Sequence, residues 1–145
     1  MQTHRRAQNM PSMSKPAYVF VVEDDPVVRE LVLTRLALAG YATGWASDGN
    51  TAFNVCKDRR PDAMILDISM PGIDGMEVLR RLQKHHALRP VPTMMLTARN
   101  KADDVQQAIA LGAMDFMRKP FDDKVLLARV SRLVRAGARA ASRQI

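Results

Sequence analysis

Five short apolar runs alternate with five helix-period stretches along this chain, and that alternation limits the possible folds more than any other feature. The runs are residues 18–22 (YVFVV), 41–46, 63–66 (AMIL), 92–97 and 114–118. Runs this short, apolar on successive residues and bounded by turn residues, read as strands buried on both faces. The second is the weakest, because Gly44 interrupts it. After the first run, Asp25-Pro26 supplies an N-cap and a first-turn proline. The helix it opens carries Val28, Leu31, Val32 and Leu36 and stops at Gly40. Asp48-Gly49 opens a second helix with Ala52, Phe53, Val55 and Cys56, and Asp74-Gly75 opens a third with Met76, Val78, Leu79 and Leu82. A fourth spans 100–111, where Asp103 and Asp104 suit the positive end of the helix dipole. The fifth spans 122–136. Strands alternating with helices of this length imply one parallel sheet, covered on both faces and joined by right-handed crossovers. The expectation is a single α/β domain over residues 17–136. It is flanked by a basic, aperiodic arm at 1–16, expected to be disordered, and a basic tail or the start of a linker at 137–145.

The formal charge of +7 resides at the two ends. Arg5, Arg6 and Lys15 precede the domain without an acid among them, and Arg129, Arg132, Arg135, Arg139 and Arg143 fill the last stretch. The body between is close to neutral, so the basicity describes the ends and not the domain. At roughly 100° per residue those five arginines fall in a stripe about 120° wide, opposite Leu126, Val130, Leu133 and Val134. Such a stripe reads first as a solvated face. The sharper readings are an acidic protein partner or phosphate contact on nucleic acid; no aromatic residue interleaves the stripe, so a stacking mode is unsupported, and nucleic-acid contact by this domain itself is not expected. The single cysteine excludes an internal disulfide and fits a reducing compartment. Cys56 sits in a helical pattern and reads as core, as do Met94 and Met95, while Trp45 is expected to be partly exposed. No apolar run is long enough to span a bilayer, and no apolar stretch follows Arg5-Arg6 as a signal peptide would require. A cytoplasmic location is therefore expected. His4, His85 and His86 lack the partner spacing of a zinc site.

The residues just after the strands carry the chemistry. Glu23-Asp24 follows the first, Asp67 the third, Thr97 closes the fourth and Lys119 follows the fifth. In a doubly wound sheet these ends converge on one edge, where such sheets bind ligands. Three carboxylates together repel one another and need positive charge. Lys119 supplies some of it, and a hard divalent cation such as Mg2+, which takes carboxylate oxygens and phosphate, supplies more. An aspartate beside Mg2+ is a competent nucleophile toward a phosphoryl group, with Lys119 and the metal neutralising the transferred oxygens and Thr97 offering its hydroxyl. Reading each residue instead as a separate turn or cap requires a coincidence at four strand ends.

These residues resemble the receiver domain of two-component response regulators over 17 to about 136. The matching motifs are Phe20-Val21-Val22-Glu23-Asp24, Leu66-Asp67 running on through Pro71-Gly72-Ile73-Asp74-Gly75, Thr97-Ala98 and Lys119-Pro120-Phe121. The resemblance implies a flavodoxin-like (βα)5 sheet in the order 2-1-3-4-5. It implies a phosphoacceptor, Asp67, charged by a histidine kinase or phosphotransfer protein. Mg2+ would be bound directly by Asp24 and Asp67, through water by Glu23, and by the Ser69 carbonyl. Thr97 and Phe116 match the family's switch pair, with Thr97 moving toward the phosphoryl group and Phe116 turning inward. The Lys119-Pro120 bond is expected to be cis. Ser69 and Arg99 occupy the positions that tune dephosphorylation, and neither is an obvious base, so a phosphoryl lifetime of minutes or longer is expected.

The last third is similar to the DNA-binding transcriptional branch, whose members dimerise through helix 4, strand 5 and helix 5. Asp115 and Arg129 match one ion pair of that face, and Val105 and Val125 stand at both ends of another. A homodimer through this face is therefore a candidate, and if the valines are exposed the face is stickier and less charge-specific. The output partner, or a fused output domain, is not legible. A rival reading is a receiver-like interaction module that is never phosphorylated, against which Asp24, Asp67, Thr97 and Lys119 all stand intact. An enzyme on the same fold is the other rival. No dinucleotide fingerprint or P-loop is present, and a haloacid-dehalogenase-like phosphatase would have a second aspartate where Ser69 stands. Catalysis is expected to be limited to self-phosphorylation and slow hydrolysis.

Overall fold

The computed structural model describes residues 15–85, 88, 91–98 and 101–143. Most of the arm read at 1–16, together with Arg99, His4 and His86, lies outside the described residues, as does the side chain of Arg143. The elements are β1 (Tyr18–Val22), α1 (Pro26–Leu38), β2 (Ala42–Ala46), α2 (Gly49–Asp58), β3 (Ala63–Leu66), α3 (Gly75–Lys84), β4 (Thr93–Thr97), α4 (Ala102–Ala110), β5 (Asp115–Arg118) and α5 (Asp123–Arg143). All strand pairings are parallel, in the order β2-β1-β3-β4-β5.

The uniform apolarity of the strands comes from their two covered faces. Alternate side chains of β1 point opposite ways. Phe20 and Val22 join Met64, Leu66, Leu79, Leu82 and Met95 in one core, under α2 and α3. Val19 and Val21 join Val32, Leu36, Ile65, Met94, Leu126, Val130 and Leu133 in the other, under α1 and α5. Met94, Met95 and Cys56 are fully buried. Burial alone pushes the Cys56 thiol up to about 12, so it stays a neutral core group. Four helices start on aspartate caps. Asp25 accepts from Val27 N at 2.9 Å, Asp48 from Thr51 N at 2.8 Å, Asp74 from Glu77 N at 3.0 Å and Asp122 from Lys124 N at 2.8 Å.

The last helix does not stop at Ala136 as its sequence pattern predicts; it continues to Arg143 through the stretch read as a tail. The continuation is rich in alanine and arginine, strong helix formers with no proline among them. Its one weak residue, Gly137, lies where a Cβ would come within 2.7 Å of Pro92 Cγ and 3.3 Å of the Asp62 carbonyl. The missing side chain lets α5 press against the loops that precede β3 and β4.

Candidate functional site

The carboxyl edge of the sheet is aligned by the strand register. Val22 pairs with both Ala46 and Leu66, so the residues that follow β1 and β3 leave the sheet side by side. The backbone ladder extends one residue further. Glu23 N donates to Ala46 O, Asp67 N to Val22 O and Lys119 N to Thr97 O, each at 3.0 Å. These bonds hold the backbone of three charged residues before any side chain is considered.

The side chains then close on one another. Lys119 Nζ lies 2.6 Å from Glu23 Oε1 and 3.1 Å from Asp67 Oδ2. Asp67 Oδ1 accepts from Ser69 N at 3.2 Å, and Glu23 Oε2 accepts from Asp25 N at the same distance. Glu23 and Asp67 are 3% and 4% exposed, whereas Asp24 faces solvent. One carboxylate oxygen from each of Glu23, Asp24 and Asp67 lies within 4.8 Å of the other two. Thr97 is fully buried at the end of β4, beside Lys119.

The electrostatics reflect that crowding. Burial pushes the Glu23 carboxyl up to about 7; the hydrogen bond from Lys119 opposes the rise and the charge on Asp67 adds to it. Burial would lower the Lys119 ammonium, but its bonds to Glu23 and Asp67 outweigh that and hold it above the ordinary lysine value. Three carboxylates against one ammonium leave the pocket anionic, and every donor in it is a hard oxygen. The set fits a divalent cation of the Mg2+ kind.

The loop below Asp67 is shaped by two glycines. Gly72 adopts φ +76°, and Gly75 N donates to Ile68 O at 2.8 Å as the chain turns into α3. A Cβ on Gly75 would overlap the Asp67 carbonyl oxygen. Gly75→Ala is therefore expected to displace the Asp67 backbone and destabilise the domain by about 3 kcal/mol. Urea unfolding of the variant beside the parent chain checks this; a midpoint shift worth less than about 1 kcal/mol would refute it.

The pattern that describes the response regulator receiver domain matches residues 19–131. The chain belongs to the receiver-domain family of response regulators. The receiver is 35% identical over 117 residues to the phosphate regulon transcriptional regulatory protein PhoB of Pseudomonas aeruginosa, covering 81% of this chain and 51% of that protein. It is 38% identical over 120 residues to the response regulator MprA of a Mycobacterium species, covering 83% and 51%. The chain thus spans about half the length of the curated relatives it matches. A putative response regulator from Chloroflexus aurantiacus superposes with a TM-score of 0.79 at 33% identity, over 83% of this chain and 98% of that one. The receiver domain of a sensor histidine kinase from Pseudomonas aeruginosa, with a magnesium ion coordinated in its active-site cleft, superposes with a TM-score of 0.76 at 28% identity, over 82% and 98%. The sheet order is the one the family resemblance implies.

The receiver brings Glu23, Asp24, Asp67, Ser69 and Lys119 together, with Thr97 beside them. The Lys119-Pro120 bond is cis. Phe116 is half-buried on β5, against the core under α2 and α3. Asp115 and Arg129 pair within the chain at 3.2 Å, and Arg129 also donates to Phe116 O at 3.1 Å. Val125 is 43% exposed and Val105 half-buried. Among the described residues no helix is long and apolar enough to cross a membrane. One residue at the pocket escaped the sequence reading. Arg29, on α1, donates from Nη1 to Glu23 O at 3.0 Å. Its only signal was a cation one turn into a helix that opens on an acidic run.

Proposed function

We propose that the chain is a phosphoacceptor switch. A carboxylate oxygen of Asp67 attacks the phosphorus of a phosphorylated histidine on a kinase or phosphotransfer protein. The P–O bond forms as the P–N bond breaks, and the imidazole leaves with the electron pair. Lys119 neutralises a phosphoryl oxygen from the position where it now bridges Glu23 and Asp67, and Thr97 turns its hydroxyl to another. Glu23, Asp24, Asp67 and the Ser69 carbonyl would hold Mg2+, which supplies further neutralisation of the phosphoryl oxygens. The relay then runs through Thr97 and Phe116 to the face made by α4, β5 and α5. Slow hydrolysis, with Ser69 and Arg99 standing at the two sequence positions that tune its rate in the family, resets the switch. The observation that carries this reading is Lys119 Nζ bridging two buried carboxylates within a cluster of three. An open apolar depression of about 400 Å3 beside Lys119, walled by Val28, Leu31, Ala98, Pro120 and Phe121, leaves room for a donor protein to approach. The test is intact mass after incubation with acetyl phosphate. Gain of one phosphoryl group only with Mg2+ supports the reading, and no gain at saturating Mg2+ overturns it.

Metal binding on this reading is proton-linked. Burial pushes the Glu23 carboxyl up to about 7, so near neutral pH Mg2+ must displace its proton. Affinity is expected to be flat above about pH 8 and to fall below 7, by up to about tenfold per pH unit. Calorimetric titrations at pH 6 and 8 check this; equal affinities would refute it.

The α4-β5-α5 face is proposed to form a homodimer after phosphorylation. Asp115 and Arg129 are already paired within the chain, while Val125, Ile109 and Met114 are exposed. The association is therefore expected to survive about 0.5 M NaCl, where exposed ion pairs are screened, and to be lost in Val125→Asp. Sedimentation of the phosphorylated chain checks both; a dimer that dissociates in salt and tolerates Val125→Asp would refute the apolar account.

A further inference from the structure

Asp24 is the loosely held member of the acidic cluster. Glu23 and Asp67 are tied to Lys119 and to backbone amides, but no hydrogen bond to the Asp24 carboxylate is present among the described residues. What places Asp24 is its backbone. The carbonyl of Glu23 and the amide of Asp24 belong to one planar peptide unit. Glu23 N is fixed by Ala46 O on one side, and Glu23 O accepts from Arg29 Nη1 at 3.0 Å on the other.

Arg29 is an unusual choice for that task. It is a cation in the first turns of α1, where the helix dipole disfavours positive charge, and no acidic residue occupies that first turn. Its Nε is buried without a hydrogen-bond partner among the described residues. Its guanidinium carbon lies 4.1 Å from the ring centroid of Trp45, an indole that is 49% exposed on the edge strand β2. The stack sets the guanidinium in one plane and leaves Nη1 aimed at the carbonyl. A residue needed only to join α1 to the sheet would be met by an apolar contact, as Val32 and Leu36 already provide.

We propose that Arg29, braced on Trp45, is a positioning residue for the metal pocket: by holding the Glu23 carbonyl it sets the peptide plane that presents Asp24. The proposal rests on the pocket binding Mg2+. Trp45 thereby ties the pocket to the exposed edge of the sheet.

The test is calorimetric Mg2+ affinity of the whole chain, with thermal unfolding in chelator as a separate readout. Arg29→Ala is expected to weaken Mg2+ binding about tenfold, as loss of a group supporting a metal ligand does. Arg29→Lys, which keeps a donor but lacks the planar face, is expected to lose about threefold. Trp45→Ala is expected to behave like Arg29→Lys, while Trp45→Phe, which keeps a ring face, stays within about twofold of the parent. Trp45 is half exposed, so its variants keep the test open if Arg29→Ala fails to fold. Mg2+ affinity within about twofold of the parent in folded Arg29→Ala, or in Trp45→Ala should Arg29→Ala not fold, overturns the proposal while the pocket reading stands. Weakened binding that tracks lowered thermal stability equally in Trp45→Ala and Trp45→Phe also overturns it, since that is a merely structural role. A parent chain that binds no Mg2+ overturns both readings.

Discussion

Asp67→Asn is expected to lose phosphoryl uptake altogether, with the fold unchanged. Asparagine keeps the shape of the side chain and one oxygen, so either the bond from Ser69 N or the bond from Lys119 Nζ survives. The anionic oxygen that attacks phosphorus in the proposed transfer disappears, and a neutral amide is no substitute. The fall in rate is expected to exceed about a thousandfold. Stability is expected to change by less than about 1 kcal/mol, because the substitution also removes a charge that holds the Glu23 carboxyl up. Acetyl phosphate labelling beside urea unfolding checks both parts. A variant that still takes up phosphate at more than about a tenth of the parent rate would move the acceptor to another residue.

Lys119→Met is expected to separate binding from chemistry. Lys119 is the cation that Glu23 and Asp67 share, and a thioether of similar length leaves two buried carboxylates facing each other. Phosphoryl uptake is expected to fall by about 10²–10³-fold, the usual effect of removing one stabilising charge from a site of this kind. Well above the Glu23 pKa, where no proton has to be displaced, Mg2+ is expected to bind more tightly, because the ammonium no longer competes for the same oxygens. Stability responds with pH. An acid whose pKa is raised on folding opposes the folded state increasingly as pH rises from its unfolded to its folded value. The hydrogen bond from Lys119 is what chiefly offsets burial at Glu23. Without it the folded-state pKa of Glu23 rises further, so the variant's deficit, on the order of 2–3 kcal/mol at pH 8, is expected to shrink toward pH 5. Denaturant curves at the two pH values, with Mg2+ titrations, check the pattern. A variant equally destabilised at both, or with weaker Mg2+ binding well above the Glu23 pKa, would contradict the assigned role of Lys119.

The strands were legible in the sequence because burial on both faces leaves each a bare apolar run between turn residues. β1 and β3 lie where the sequence places them, and the other strands start a residue later. The pocket was legible for a related reason: Glu23, Asp67 and Lys119 each directly follow a strand, and parallel order carries all three to one edge. The end of α5 was not legible, because the weak helix former Gly137 reads as a stop unless its contact with Pro92 is known. Asp115 and Arg129 could be paired by type but not by partner; the register of β5 against α5 closes them within one chain. Arg29 and Trp45 meet only after α1 packs beside β2, and no local spacing announces that.

The most direct test of the central claim is to trap the acyl phosphate. The chain is charged with acetyl phosphate and Mg2+, reduced with borohydride and sequenced by mass spectrometry. Reduction converts a phosphorylated aspartate to homoserine, and the account predicts homoserine at position 67 and at no other acidic residue. Homoserine at Asp24 or Asp74, or none at all from a chain that binds Mg2+, would contradict it and favour an interaction module that works without phosphorylation.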